Sequence, residues 1–173
     1  MPELSEAVGG AGAMSDRDPR GYRRGVGVML LNSQGKVFVG ARIDNTDEAW
    51  QMPQGGIDEC EHEDPWQTAL RELEEETGIP PHLIERVADC PERLKYDLPD
   101  ELRGSLWKGK YKGQDQDWYL ARFLGRDSDI DIATEHPEFR EWKWIEPEQL
   151  PELIVPFKRD LYRQLLREFA EHL

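Results

Sequence analysis

Cysteine is scarce: Cys60 and Cys90 are the only two among 173 residues. They form no Cys-x-x-Cys pair, so a disulfide framework is excluded, and Cys60 with the nearby His62 falls far short of a zinc site. No apolar run approaches the ~18–20 residues of a membrane span. Residues 1–20 lack both a basic start and an apolar block, so no secretory signal is expected and the cytoplasm is the expected location. No internal repeat is present. Cationic side chains are outnumbered, 22 Lys and Arg against 36 Asp and Glu, for a net charge of −14. Such a chain repels polyanions at long range.

What is present suffices for a folded domain. Hydrophobic residues make up 38% of the chain, enough at this length to bury a core. Length favours a single domain, expected over residues 21–173. The small, polar residues 1–20 are expected to form a disordered leader. Charge is uneven. Residues 46–101 carry 17 acidic and 4 basic side chains. Residues 17–45 and 102–126 each carry 6 basic and 2 acidic ones. Basic islands around an acidic centre suit a polyphosphate held by side-chain cations and bound metal.

Strands are expected at Val26–Leu31 and Lys36–Ala41, joined by Asn32-Ser33-Gln34-Gly35 as a hairpin. Further strands are expected at Val87–Cys90, Leu94–Leu98, Trp118–Leu124 and Glu141–Ile145, with residues 99–116 a long loop. The stretch Trp50–Gly56 is short and extended, ending in a glycine turn. A helix is expected from Pro65, capped by Asp64 and stopped by Gly78. Phe157, Leu161, Leu165 and Phe169 recur every four residues, marking a closing helix over 157–172. The result is a mixed α+β sandwich rather than an alternating parallel fold.

On the first helix, Trp66, Ala69, Leu70 and Leu73 share the core arc. Glu72, Glu75 and Glu76 fill a neighbouring arc. Like charges at this spacing oppose one another. Water relieves them on an open face, and a cation relieves them in a cleft. Hard divalent ions such as Mg²⁺ accept such carboxylates together with substrate phosphates.

Gly55-Gly56-Ile57 through Arg71-Glu72-Leu73-Glu74-Glu75-Glu76-Thr77-Gly78-Ile79 resembles the Nudix box, Gly-x5-Glu-x7-Arg-Glu-U-x-Glu-Glu-x-Gly-U, where U is bulky and aliphatic. The second half matches at every fixed position. Counting forward from Gly55 places the loop glutamate at Glu61, and counting back from Arg71 places it at Glu63, so two extra residues precede the helix. The resemblance implies a Nudix-type α/β/α sandwich with a mixed central sheet. It also implies hydrolysis of a phosphoric anhydride with more than one Mg²⁺ ion, or Mn²⁺ in its place. Glu72, Glu75 and Glu76 would bind metal, with a carbonyl from Gly55 or Gly56. Arg71 would tie down the loop by ion pairing, with Glu75 a further partner. Which glutamate acts as general base stays open.

Beyond the box, Gly21-Tyr22-Arg23, Trp50–Ile57, Pro137-Glu138-Phe139 with Trp142-Lys143-Trp144, and Phe157-Lys158-Arg159-Asp160 resemble the bacterial branch of the family that acts on 5′-triphosphate RNA ends. That activity releases pyrophosphate, leaves a monophosphate and initiates mRNA decay. The same branch holds hydrolases of diadenosine and other dinucleoside polyphosphates, the alternative substrate class. Tyr96 lies where both types carry a tyrosine. The resemblance adds Glu138 to the metal ligands. It places Arg23, Arg42 and Lys158 near phosphates or RNA, and Val155 and Phe157 beside a base. Phe157 fits the stripe of the closing helix equally well. Gln114, Gln116 and Trp118 match a Gln-x-Gln-x-Trp run, but Asp115 and Asp117 stand where the RNA enzymes carry basic residues. Those acids lean toward the smaller substrate. A third possibility, a non-catalytic nucleotide binder, is disfavoured because all three box glutamates are present. Nothing in the sequence fixes the oligomeric state.

Overall fold

Strand β1 (Gly21–Leu31) ends in a run buried at every position from Gly25 onward. Burial on both faces demands such a run and places it at the centre of a sheet. Its neighbour β6 (Tyr111–Phe123) runs parallel to it from Gly21↔Tyr111 to Leu31↔Arg122. The structure, a computed structural model, describes residues 19–45, 48–57 and 64–173. The remaining strands are β2 (Val37–Arg42), β3 (Gln54–Gly56), β4 (Ile84–Asp89), β5 (Leu94–Asp97) and β7 (Phe139–Ile145). The sheet order is β4-β6-β1-β2-β7, with β3 added to β1 and β5 added to β6. The β1–β6 pairing is parallel and the others are antiparallel.

The β1–β2 hairpin forms and then splays. After Leu31↔Val37 the two strands part. The chain segment around Met52 fills the gap: Gly40 and Gln51 exchange backbone hydrogen bonds of 2.8 and 2.9 Å, and Val28 donates to the Pro53 carbonyl at 3.0 Å. β3 then pairs with β1 over Gly25–Gly27. This wedge carries the glycine turn to the middle of the sheet edge.

Helix α1 (Pro65–Thr77) has the expected caps. The Asp64 carboxylate accepts from the Trp66 and Gln67 amides, and Gly78 ends the helix at φ 74°, a conformation glycine adopts without penalty. Ala69 and Leu73 are buried on one face of the sheet with Val28, Leu30 and Phe38. On the other face, Leu161, Tyr162 and Leu165 of helix α4 (Arg159–Glu168) pack on Met29, Trp118 and Leu120. Helices thus cover both faces of a mixed sheet. Short helices α2 (Asp100–Arg103) and α3 (Leu150–Leu153) complete the fold.

Two expectations need correction. Residues 99–116 are not one loop: α2 and a 3₁₀ turn at Leu106–Gly109 precede β6, which begins at Tyr111, well before Trp118. The reason is that Gln114 and Gln116 are buried partners in a polar network, so the strand shows no hydrophobic alternation there. The closing helix starts at Arg159, with Phe157 in the 3₁₀ turn before it. The expected leader, up to Asp18, and the loop holding Glu61 and Glu63 lie outside the described residues. Arg20 is anchored, donating to the Arg103 and Gly109 carbonyls at 2.7 and 3.1 Å. Among the described residues, no helix is long and apolar enough to cross a membrane.

Candidate active site

The split between β1 and β2 opens into a cleft of about 750 Å³. Glu72 reaches it from α1 and Glu138 from the residue before β7, while Glu76, on the next turn of α1, is buried beside them. Each of these three carboxylates offers an oxygen within 4.8 Å of the other two. Glu72 lies directly against the glycine turn, where a Cβ on Gly55 would overlap its carboxylate. The backbone amide of Gln54 hydrogen-bonds to Glu76. Glu76 is fully buried, and its Oε2 has no hydrogen-bond partner.

This arrangement is electrostatically costly. Burial, reinforced by Glu138 and Glu72, pushes Glu76 well above the usual carboxylate range. Burial and the neighbouring Glu75 push Glu72 up to about 7. A buried carboxylate oxygen without a donor, beside two more carboxylates, fits a hard divalent cation. The residues present could hold one: Glu72, Glu76 and Glu138.

Glu75 stands apart from this trio. It lines the cleft but is mostly exposed, paired with Arg71 at 3.1 Å. Arg71 also binds Glu72 at 3.0 Å. Glu74 points to solvent.

Cations face the acids across the cleft. Arg42 grips Asp44 through two bonds of 2.8 Å and reaches Glu138 at 3.5 Å. Lys158 is buried, and its ammonium stands 5.1 Å above the centre of the Tyr96 ring rather than against a carboxylate. Burial, aided by Arg42, lowers its pKa to about 8. The Arg23 guanidinium stacks 5.3 Å from the Trp107 ring centre. Its other side lies so near Gly56 that a Cβ there would overlap it.

An apolar wall completes the cleft. Val155 and Phe157 line it, and Phe157 packs 5.9 Å from Tyr96. Phe157 also touches the core, so the turn before α4 lets it serve both surfaces. The Tyr96 hydroxyl accepts from Gln114 at 2.8 Å, and burial raises its pKa to about 12. Of the residues expected at the site, Arg23, Arg42, Gly55, Glu72, Glu75, Tyr96, Gln114, Glu138, Val155, Phe157 and Lys158 all line this one cleft.

Sequence reasoning missed Asp44, Gln51, Gln54, Leu102, Leu106 and Trp107, which also line it. Only the glycines beside Gln54 gave a signal. Asp115 and Asp117 point the other way. Strand alternation puts them on the face opposite Gln114 and Gln116, where Arg93 meets Asp115 at 3.3 Å and Arg24 meets Asp117 at 3.0 Å.

The NUDIX domain family model matches residues 21–165. A relative from Roseobacter denitrificans, named RNA pyrophosphohydrolase, is 59% identical over 152 residues, 88% of this chain and 94% of its own length. One of the same name from Sphingopyxis alaskensis is 56% identical over 157 residues, 91% of this chain and 98% of its own. Among solved structures, a C. elegans Ap4A hydrolase complex superposes with a TM-score of 0.62 at 24% identity, covering 86% of this chain and 98% of that one. A MutT protein from Methanosarcina mazei does so at 0.63 and 17%, covering 87% and 97%. The matched span contains the glycine turn, the capped acidic helix and the sheet that joins them, and this chain belongs to the Nudix hydrolase family.

Proposed function

We propose that this chain hydrolyses the α–β anhydride of 5′-triphosphate RNA, releasing pyrophosphate and leaving a 5′-monophosphate end. The observation that carries the reading is the meeting of Glu72, Glu76 and Glu138 within 4.8 Å of one another in a cleft that also presents Arg23, Arg42, Lys158 and Phe157. The names of the relatives support the same substrate class.

Glu72, Glu76 and Glu138, with the Gly55 carbonyl, would hold Mg²⁺, and Mn²⁺ suits the same oxygen set. A divalent ion there would supply Lewis-acid stabilisation of charge on the phosphate oxygens. The protein's own groups do the rest. Arg23, Arg42 and Lys158 bind phosphate oxygens and orient the chain. Phe157 and Val155 hold a base near the RNA end by stacking and contact. Arg71 fixes Glu72 and Glu75 on the helix.

Dinucleoside polyphosphates are the alternative. The acids that favoured them are paired with arginines on the far face of β6, so the RNA reading leads. Incubation of 5′-triphosphate RNA with enzyme and Mg²⁺ is expected to yield monophosphate RNA and pyrophosphate, and to stop in EDTA. Intact RNA beside rapid cleavage of diadenosine tetraphosphate would reverse the choice.

A further inference from the structure

The Gln-x-Gln-x-Trp run of β6 forms a hydrogen-bonded chain from the core to the cleft. The buried Trp118 indole donates to Gln116 Oε1 at 3.0 Å. Gln116 Nε2 donates to Gln54 Oε1 at 3.0 Å and to Gln114 Oε1 at 3.5 Å. Gln114 Nε2 then donates to the Tyr96 hydroxyl at 2.8 Å.

An amide can be turned end for end, but an indole N–H can only donate. The atom of Gln116 beside Trp118 must therefore be oxygen, and its amino group must face the other two glutamines. Their carbonyls are thereby held inward. Gln54 also hydrogen-bonds to the Tyr96 side chain, which takes one of its two Nε2 hydrogens and leaves the other on the side that lines the cleft. Its own backbone amide binds Glu76, so Gln54 bridges the acidic trio and Tyr96.

We propose that Trp118 and Gln116 are positioning residues that lock the polarity of Gln54, and that Gln54 Nε2 donates to a non-bridging oxygen of the phosphate chain. This rests on the reading of the cleft as a polyphosphate site. The lock matters because a reversed Gln54 would turn a carbonyl oxygen toward an anion.

Two measurements test it. In steady-state kinetics on triphosphate RNA, Gln54→Ala raises KM roughly tenfold or more, the loss expected for a hydrogen bond to a charged group, with kcat changed much less. Gln116→Met raises KM in the same sense, and the double variant is no worse than Gln54→Ala. Additive losses, or an equal fall in kcat, would overturn the lock. The second measurement is an NMR titration of the ¹⁵N-labelled chain with inorganic pyrophosphate and Mg²⁺. The Gln54 side-chain NH₂ signals shift together with the Gly55 and Gly56 amides, and in Gln116→Met the Gln54 shift shrinks. Glycine shifts without any Gln54 shift would overturn this inference alone. A cleft silent to pyrophosphate would overturn it together with the reading on which it rests.

Discussion

A carboxyl group as deeply buried as Glu76, with one oxygen lacking any donor, works against the fold until something positive meets it. Replacing it by glutamine removes the charge and keeps the shape. In EDTA, Glu76→Gln should raise thermal stability by about 1 kcal/mol, while kcat in Mg²⁺ falls at least about tenfold, the lower bound for damage around a metal ligand. Calorimetry and turnover on the same preparation check both. Lys158 has the opposite problem. Burial lowers its pKa to about 8 from 10.5, so between those values the unfolded chain binds the proton that the folded chain has lost. Stability from this group therefore rises with pH across that window, while the charge available to a phosphate disappears. The kcat/KM profile should fall as pH climbs through about 8, and Lys158→Arg, which keeps its charge, should move that descent upward.

At the scale of elements, the site depends on how closely β3 approaches α1. A Cβ at Gly55 would overlap the Glu72 carboxylate. Gly55→Ala should leave the circular dichroism spectrum unchanged and displace Glu72, lowering kcat at least about tenfold. These two elements were also the most legible in the sequence, because Asp64, Gly78 and the spacing of Glu72 and Glu76 are local signals. Glu138 was different: no periodicity links it to α1, and only its family resemblance placed it. Trp107 was not legible at all. Its 3₁₀ turn has φ of 52° at Trp107 and 59° at Lys108, conformations that residues other than glycine seldom mark in a sequence. Asp115 and Asp117 misled for a related reason. Their charge was visible, but the arginines that pair with them come from β1 and from the turn before β5.

For the whole molecule, the formal charge of −14 and a polyanionic substrate are reconciled by placement. Much of the acid is paired on remote faces or pooled in the Glu72, Glu76 and Glu138 cluster, while Arg23, Arg42 and Lys158 share the cleft. The cluster would turn from a repulsive floor into an attractive one when divalent cations fill it. A crystal soaked in Mn²⁺ and measured for anomalous scattering tests this most directly. The account predicts a strong peak within coordination distance of Glu72, Glu76 and Glu138. A well-bound manganese elsewhere, with those three side chains bare, would contradict it.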